Sequence, residues 1–209
     1  MNINKISTLM VKFTEENKDK WNELDGAQGD GDLGVTMHLA AQALAESAER
    51  CNSVKEWLEV GGKQIRKAAP STMGILIASA LISAGRSIKD QQKELNLEDW
   101  ITIQENMAAE IQQRGGAKLG DKTILDSFIP ALHAFSDGVK RGDDLSQILN
   151  ETTVIAKNSA EGTSSMISKI GRSSWLGKRS QGNIDGGAWV CYQIYDFISK
   201  INQDLKQNC

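Results

Sequence analysis

The chain has 209 residues, which is enough for one well-buried domain and too few for two of ordinary size. Its formal net charge is −3, and its only concentration of basic residues, Lys169 to Arg179, is short and rich in Gly and Ser, which excludes the cationic face of a nucleic-acid-binding protein. Few aromatic residues and only two prolines favour long helices over many short strands, so we expect a single all-α domain over residues 1–209.

Apolar residues at three- and four-residue steps predict the first three helices. The first helix is expected from Ile3 to about Trp21, and the second carries the apolar positions between Met37 and Ala48. The third begins with Ser53 and Glu56, which match the two partners of a capping box, and it ends near Pro70.

The same periodicity predicts five more helices, the fifth of them with Asn96 as its N-cap. These helices are expected around Met73–Ile88, Trp100–Ile111, Ile124–Phe135, Leu145–Ile155 and Val190–Ile201. Eight helices joined by short loops predict an antiparallel up-and-down bundle or closed barrel.

Four of the loops are richer in polar residues and glycine than a turn requires. They are Asp25–Gly34, Pro70–Gly74, Gly115–Thr123 and Gly171–Arg179. In an antiparallel bundle, the loops before the second, sixth and eighth helices can gather at one end, and we expect the functional site there.

The first of these loops carries Asp25, Asp30 and Asp32 among four glycines, and nothing in it can neutralise their mutual repulsion. Carboxylates on such a loop suit a hard cation such as Mg²⁺, which takes further ligands from water and substrate phosphates. The alternative is a solvated helix N-terminus, where Asp favours the positive end of the helix dipole. An EF-hand calcium loop is excluded because Gly34 and Ala41 stand where side-chain ligands are needed.

The other loops offer weaker signals. Ser71 and Thr72 could present hydroxyl and backbone N–H groups to a phosphate, or could simply cap a helix. The stretch from Gly120 to Thr123 lacks the upstream glycine and strand of a Walker loop, so we expect Asp121 to cap the sixth helix and Lys122 to lie on the surface.

Arg172 and Arg179 flank a polar segment that could lie over a nucleotide or form an ordinary surface loop. His38 and His133 have no acidic or Cys partner nearby in sequence, and no Ser-His-Asp or Cys-His set is visible. We therefore predict no catalytic side chain beyond the metal ligands.

Cys51, Cys191 and Cys209 are odd in number and widely spaced, which favours a reducing compartment. The N-terminus lacks a signal-type apolar run, and no stretch reaches membrane-spanning length. These features predict a cytoplasmic protein with no membrane and no nucleic-acid partner.

In combination, the acidic loop and two later motifs, Gly120–Asp126 and Gly171–Ser180, resemble the ordered motifs of the dihydroxyacetone kinase nucleotide-binding domain, the L subunit when it is a separate chain. The resemblance covers nearly the whole chain. It implies a barrel of eight antiparallel helices with the nucleotide at one end, in agreement with the helix count.

The resemblance also assigns roles to individual residues. It implies that Asp25, Asp30 and Asp32 hold two Mg²⁺ ions against the phosphates of ADP or ATP. The residues that it places around the nucleotide are Leu33, Gly34, Val35 and Thr36 at the start of the second helix, Pro70 and Ser71 at the phosphates, Gly115 and Ile124 at the adenine, Arg172 on the phosphate side, and Asp185, Gly186 and Gly187 at the ribose or base. The chain departs from the family pattern at Leu33, where separate L subunits often have His, and at Pro70–Gly74.

The implied function is phosphoryl transfer to a small ketose held by a partner subunit, with ADP recharged by a phosphohistidine-carrying protein or with ATP as the direct donor. Such transfer needs charge neutralisation and alignment more than a protein nucleophile. A homodimer is left open, as is the identity of the triose or tetrose. The alternatives are a nucleotide-sensing regulatory module of the same fold and acyl-phosphate formation as in the related fatty acid kinases, which a chain this short fits less well.

Overall fold

The computed structural model describes residues 2–92 and 94–207, and within these ranges the chain is all-α, with eight α-helices and no strand. The helices are α1 (Ile3–Gly26), α2 (Leu33–Ala48), α3 (Val54–Ala68), α4 (Thr72–Ser87), α5 (Leu97–Gly115), α6 (Leu125–Arg141), α7 (Leu145–Gly162) and α8 (Gly186–Gln207). Two short 3₁₀ segments, Thr163–Ser165 and Arg172–Ser180, connect α7 to α8. The predicted fold class and all eight helices are confirmed.

The caps show why the helices begin where they do. Ser53 accepts a hydrogen bond from the backbone N–H of Glu56 and so starts α3, while the Glu56 carboxylate reaches the N–H of Asn52 instead of completing the expected box on Ser53. Asn96 starts α5 through a complete capping box with Asp99. The predicted N-cap at Asn96 is therefore confirmed.

The chain forms two compact units. The first comprises the residues up to Gly26 and Asp30–Gly116, and it contains α1 to α5, with consecutive helices packed together. Its core is a cluster of small and large apolar side chains that includes Leu44, Trp57 and Ile65, and the Trp57 indole donates to the Leu44 carbonyl at 2.9 Å.

The second unit comprises Ala27–Gly29 and the chain from Ala117, with α6, α7 and α8 packed on one another. Leu125, Ile148 and Val190 are almost completely buried in it. Cys191 is also buried, and burial raises the pKa of its thiol to about 12. Cys51 and Cys191 are free thiols, and Cys209 lies outside the described residues.

Helix α1 continues five residues beyond the expected end at Trp21, to Gly26. The added turn is polar, with Asn22, Glu23 and Asp25, and such residues are compatible with the exposed side of a helix. Asp25 therefore lies on the last turn of α1 and not in the loop. No helix in the described part of the chain is both long and apolar enough to span a bilayer.

Candidate functional site

The carboxylates of Asp25, at the end of α1, and of Asp30 and Asp32, in the loop that follows, converge in the first unit. One carboxylate oxygen from each of Asp25, Asp30 and Asp32 lies within 4.8 Å of the other two. Asp25 and Asp32 are half-buried and Asp30 is exposed, so solvent reaches the cluster. Oxygen atoms at these separations, within reach of solvent, match the ligands that Mg²⁺ takes from proteins when its other positions are filled by water or phosphate.

The turn between α1 and α2 holds these carboxylates in place. The Oδ2 atom of Asp25 accepts a hydrogen bond of 2.8 Å from the backbone N–H of Gly31. Gly31 has a φ of 76°, in the left-handed region that a side chain would make unfavourable. The chain can thus reverse between Asp25 and Asp32 and bring both carboxylates to the same side.

Asn22 supplies the cap that α2 needs. Its Oδ1 atom accepts from the backbone N–H groups of Gly34 at 2.7 Å and of Val35 at 3.2 Å. Asp32 occupies the N-cap position of α2 but makes no side-chain cap hydrogen bond. Its carboxylate therefore lies at the positive end of the α2 dipole without acting as a hydrogen-bonded cap, which leaves its oxygens able to bind a cation.

The role of Asn22 was not predicted from the sequence. It lies on α1, twelve residues before the amide that it caps, and no local pattern predicts a cap supplied by another helix. The close approach of the two helices at Gly34 is what allows the contact.

The second loop lies beside the first. Ser71 caps α4 by accepting from the N–H of Gly74 at 3.1 Å, and its hydroxyl is 2.9 Å from that of Thr36 in the first turn of α2. Thr36 is buried and Pro70 is exposed. The N-terminal turns of α2 and α4 are thus neighbours, which places two positive helix ends close together, an arrangement that favours anions.

The remaining candidates of the first unit differ in accessibility. Leu33 is buried and Val35 is exposed at the start of α2. Gly34 is buried, and its N–H is already bonded to Asn22. Gly115 is the last residue of α5.

In the second unit, the turn before α6 differs from the sequence-based expectation. Asp121 does not cap α6: its Oδ2 accepts from the N–H of Lys118 at 2.9 Å, within the preceding turn. Asp126 organises the turn instead, by accepting from the N–H of Gly120 at 2.5 Å and of Thr123 at 2.7 Å. Ile124 occupies the N-cap position without a side-chain cap bond.

Lys122 is also not on the surface: it is only 1% exposed, and its ammonium group donates to backbone carbonyls of the connection between α7 and α8. A hydrophilic side chain in a Gly-rich turn is normally exposed to solvent. Lys122 is buried instead because its ammonium group binds carbonyl oxygens of residues 44 to 61 positions further along the chain, which no local pattern indicates. The third and fourth polar loops are thereby joined.

That connection carries the other candidates of the second unit. Arg172 begins the 3₁₀ segment Arg172–Ser180, in which Trp175 is 89% exposed. Asp185 accepts from the N–H of Ala188 at 2.8 Å and donates its own N–H to the Thr163 hydroxyl at 2.9 Å, so it caps α8 and ties it to the end of α7.

Comparison with known proteins identifies related sequences. Residues 27–200 match the family model described as the DAK2 domain. The ADP-binding subunit DhaL of a PEP-dependent dihydroxyacetone kinase from Listeria innocua is 25% identical over 193 residues, covering 90% of this chain and 88% of that one. The corresponding DhaL subunit of Escherichia coli is 28% identical and covers 79% of each chain.

Longer relatives match over one part of their length. A putative 3,4-dihydroxy-2-butanone kinase of Solanum lycopersicum is 31% identical over 163 residues, and the chain spans only 27% of it. The crystal structure of the dihydroxyacetone kinase of C. freundii superposes with a TM-score of 0.73 at 22% identity, over 95% of this chain and 34% of that one. A second structure of that kinase, in complex with AMP-PNP and Mg²⁺, gives a TM-score of 0.71 at 23% identity. These structures share the fold of this chain.

Proposed function

This chain belongs to the DAK2-domain family, and we propose that it is the nucleotide-binding part of a dihydroxyacetone-kinase-type phosphotransferase. In this role it transfers a phosphoryl group from a Mg²⁺-bound nucleotide to a small ketose held by a partner subunit. The observation that carries the proposal is the convergence of Asp25, Asp30 and Asp32, because the helix that follows them is capped by Asn22 and does not need them. We propose that residues 1–209 act as one such domain, since the DAK2 match continues through both units.

We assign the three aspartates as ligands of two Mg²⁺ ions. The donor set fits, since it consists of carboxylate oxygens within 4.8 Å of one another and within reach of solvent. A cation held by these residues would supply neutralisation of the charge that develops on the phosphate oxygens during transfer. The chain itself keeps the carboxylates in position through the hydrogen bond that the Gly31 N–H donates to Asp25 and through the cap that Asn22 provides for α2.

In the first unit, the phosphates would lie at the paired N-terminal turns of α2 and α4. The hydroxyls of Thr36 and Ser71 lie there, with the proton of one of them used in the 2.9 Å hydrogen bond between them, and both helix ends favour negative charge. Leu33, Gly34, Val35, Pro70 and Gly115 are included because the family resemblance places them around the nucleotide.

In the second unit, the family resemblance assigns Arg172 to the phosphate side, Ile124 to the adenine, and Asp185, Gly186 and Gly187 to the ribose or base. Arg is suited to this task because its planar guanidinium presents forked donors to phosphate oxygens. The cytoplasmic location and the homodimer considered in the sequence analysis remain predictions.

A first prediction concerns the partner. We expect the purified chain, given ATP, Mg²⁺ and dihydroxyacetone, to form no dihydroxyacetone phosphate, because we assign it no ketose-binding residue. Addition of a ketose-binding kinase subunit should start turnover, which a coupled assay of the phosphorylated product measures. Turnover by the chain alone would contradict the proposal that a partner subunit binds the ketose. Nucleotide binding without turnover in the presence of the partner would favour the alternative of a regulatory module.

A second prediction concerns the phosphate donor. The Leu33 side chain is buried and has no hydrogen-bond donor, whereas the imidazole of the His often found there can donate to a phosphate oxygen. The loss of one hydrogen bond to a charged group weakens affinity by about tenfold to hundredfold. We therefore expect the nucleotide to exchange, with ATP as the direct donor.

The measurement is the nucleotide content of protein purified in Mg²⁺ without added nucleotide, read from the supernatant after denaturation. An empty site that ATP fills readily agrees with direct use of ATP. Stoichiometric ADP that survives extensive dialysis would instead indicate a retained cofactor, recharged by a phosphohistidine-carrying protein. Leu33→His supplies the matched variant, and it should retain nucleotide more strongly than the natural chain.

A further inference from the structure

Lys122 is a buried lysine to which the proposed function assigns no role. It lies in the turn before α6, has a φ of 63° and is only 1% exposed. Its Nζ atom donates hydrogen bonds to the carbonyl oxygens of Met166 at 3.3 Å, of Asn183 at 2.7 Å and of Ser180. A lysine ammonium has three N–H donors, and three carbonyls receive them.

This arrangement has an energetic cost that the carbonyls must offset. Burial lowers the pKa of Lys122, because desolvation disfavours its charged form, and the negative charge of Asp185 acts in the opposite direction. A buried ammonium is tolerated when its donors are satisfied, and the three carbonyl oxygens provide that. Arginine is a poor substitute, since its planar fork cannot address three carbonyls around one atom.

The three carbonyls belong to one segment, Met166–Asn183, which connects α7 to α8. Met166 is at the start of this segment, and Ser180 and Asn183 are at its end, so Lys122 holds both ends at one point. The neighbouring residue adds to this attachment, because the backbone carbonyl of Asp121 accepts from the N–H of Lys169 at 3.1 Å. The Lys169 ammonium donates in turn to the Gly120 carbonyl at 2.7 Å.

The held segment contains or adjoins the second unit's candidates for nucleotide contact. Arg172 lies between the two attachment points, and Asp185 follows Asn183 by two residues. Within the segment, Ser180 also accepts from the N–H of Ser168 at 2.9 Å, so the two ends are bonded to each other as well as to Lys122. A segment closed in this way has few conformations available before a ligand arrives.

We propose that Lys122 is a positioning residue for the nucleotide site: its ammonium group fixes the segment Met166–Asn183 in the conformation in which Arg172 and Asp185 meet the nucleotide. This inference rests on the proposed function, because the roles of Arg172 and Asp185 are part of it. Lys122 itself touches neither the nucleotide nor the metal in this assignment.

The test compares Lys122→Met with Lys118→Met, which removes an exposed lysine from the same turn. We expect Lys122→Met to keep its helical circular dichroism and to bind Mg-ADP about tenfold to hundredfold more weakly by calorimetry, as when a supporting residue is lost from a metal site. With the partner subunit, KM for ATP should rise while kcat changes little, since ground-state binding is what is lost. Lys118→Met should match the natural chain in both measurements. Equal affinity in a folded Lys122→Met variant would overturn the proposal.

Hydrogen exchange of the natural chain provides a test that needs no variant. Amides bonded within or to the segment, such as those of Lys169 and Ser168, should be protected without nucleotide, because Lys122 fixes the segment beforehand. Rapid exchange that slows only when Mg-ADP is added would show that the nucleotide orders the segment, and the positioning role would be wrong. If the natural chain fails to bind Mg-ADP, the proposed function falls, while a comparison of exchange in the natural chain and in Lys122→Met still reports whether Lys122 holds the segment.

Discussion

Replacement of Asp30 by Asn is expected to weaken Mg²⁺-dependent nucleotide binding strongly while leaving the fold intact. Asp30 is exposed and lies between α1 and α2, outside the helices and the apolar core, so we expect the fold to tolerate the change. Two unit charges about 4 Å apart interact by roughly 4 kcal/mol at an effective dielectric constant of about 20. Asn keeps an oxygen ligand but loses that charge, and since roughly 4 kcal/mol corresponds to about a thousandfold, we expect affinity for Mg-ADP to fall by about a hundredfold to a thousandfold.

Calorimetry with ADP in the presence and absence of Mg²⁺ measures this effect. Asp19→Asn is a suitable control, because it makes the same charge change at an exposed position of α1 in the same unit. The control should bind as the natural chain does. Unchanged Mg-ADP affinity in Asp30→Asn would remove this loop from the nucleotide site, whereas weak binding by both variants would indicate a nonspecific effect of net charge.

The helical architecture could be predicted because its causes are local. Apolar residues at helical spacing identify the buried face of each helix, and caps such as Asn96 with Asp99 act within one turn. The end of α1 was the exception. Its last turn is polar and ends at Gly26, so hydrophobic periodicity stops before the helix does.

The residues proposed to bind the metal could be predicted from the sequence, but the residues that hold the surrounding backbone in place could not. Three aspartates on a Gly-rich loop are visible in the sequence, and they converge in the structure. Asn22 and Lys122 could not be found in this way, because each acts on backbone groups far along the chain. An asparagine on a helix and a lysine in a polar turn look the same in the sequence whether or not a distant segment packs against them.

Gly34 connects the packing of the first unit to its site, and Gly34→Ala is expected to destabilise the protein. A Cβ atom at this position would overlap the backbone carbonyl oxygen of Lys18 and would lie 2.7 Å from its carbonyl carbon and 2.8 Å from Asn22 Oδ1. Backbone atoms cannot rotate away as a side chain can, so α1 and α2 must separate. Overpacking of this kind costs about 1–3 kcal/mol.

This expectation is opposite in sign to the intrinsic helix preference, by which Ala is favoured over Gly by about 0.5–1 kcal/mol. Gly162→Ala near the end of α7 serves as the control, since Gly162 has a φ of −59° and an added Cβ would meet nothing within 4 Å. We expect the control to be neutral or more stable by about 0.4–1 kcal/mol. Urea unfolding followed by circular dichroism gives both values.

Separation of α1 from α2 should also affect binding, because the Asn22 cap and the relative positions of Asp25 and Asp32 depend on that contact. We therefore expect Gly34→Ala to lose affinity for Mg-ADP even under conditions in which it remains folded. A variant as stable as the natural chain would show that the two helices have room to adjust. A variant that is destabilised but binds Mg-ADP normally would show that the geometry of the carboxylates does not depend on this helix contact.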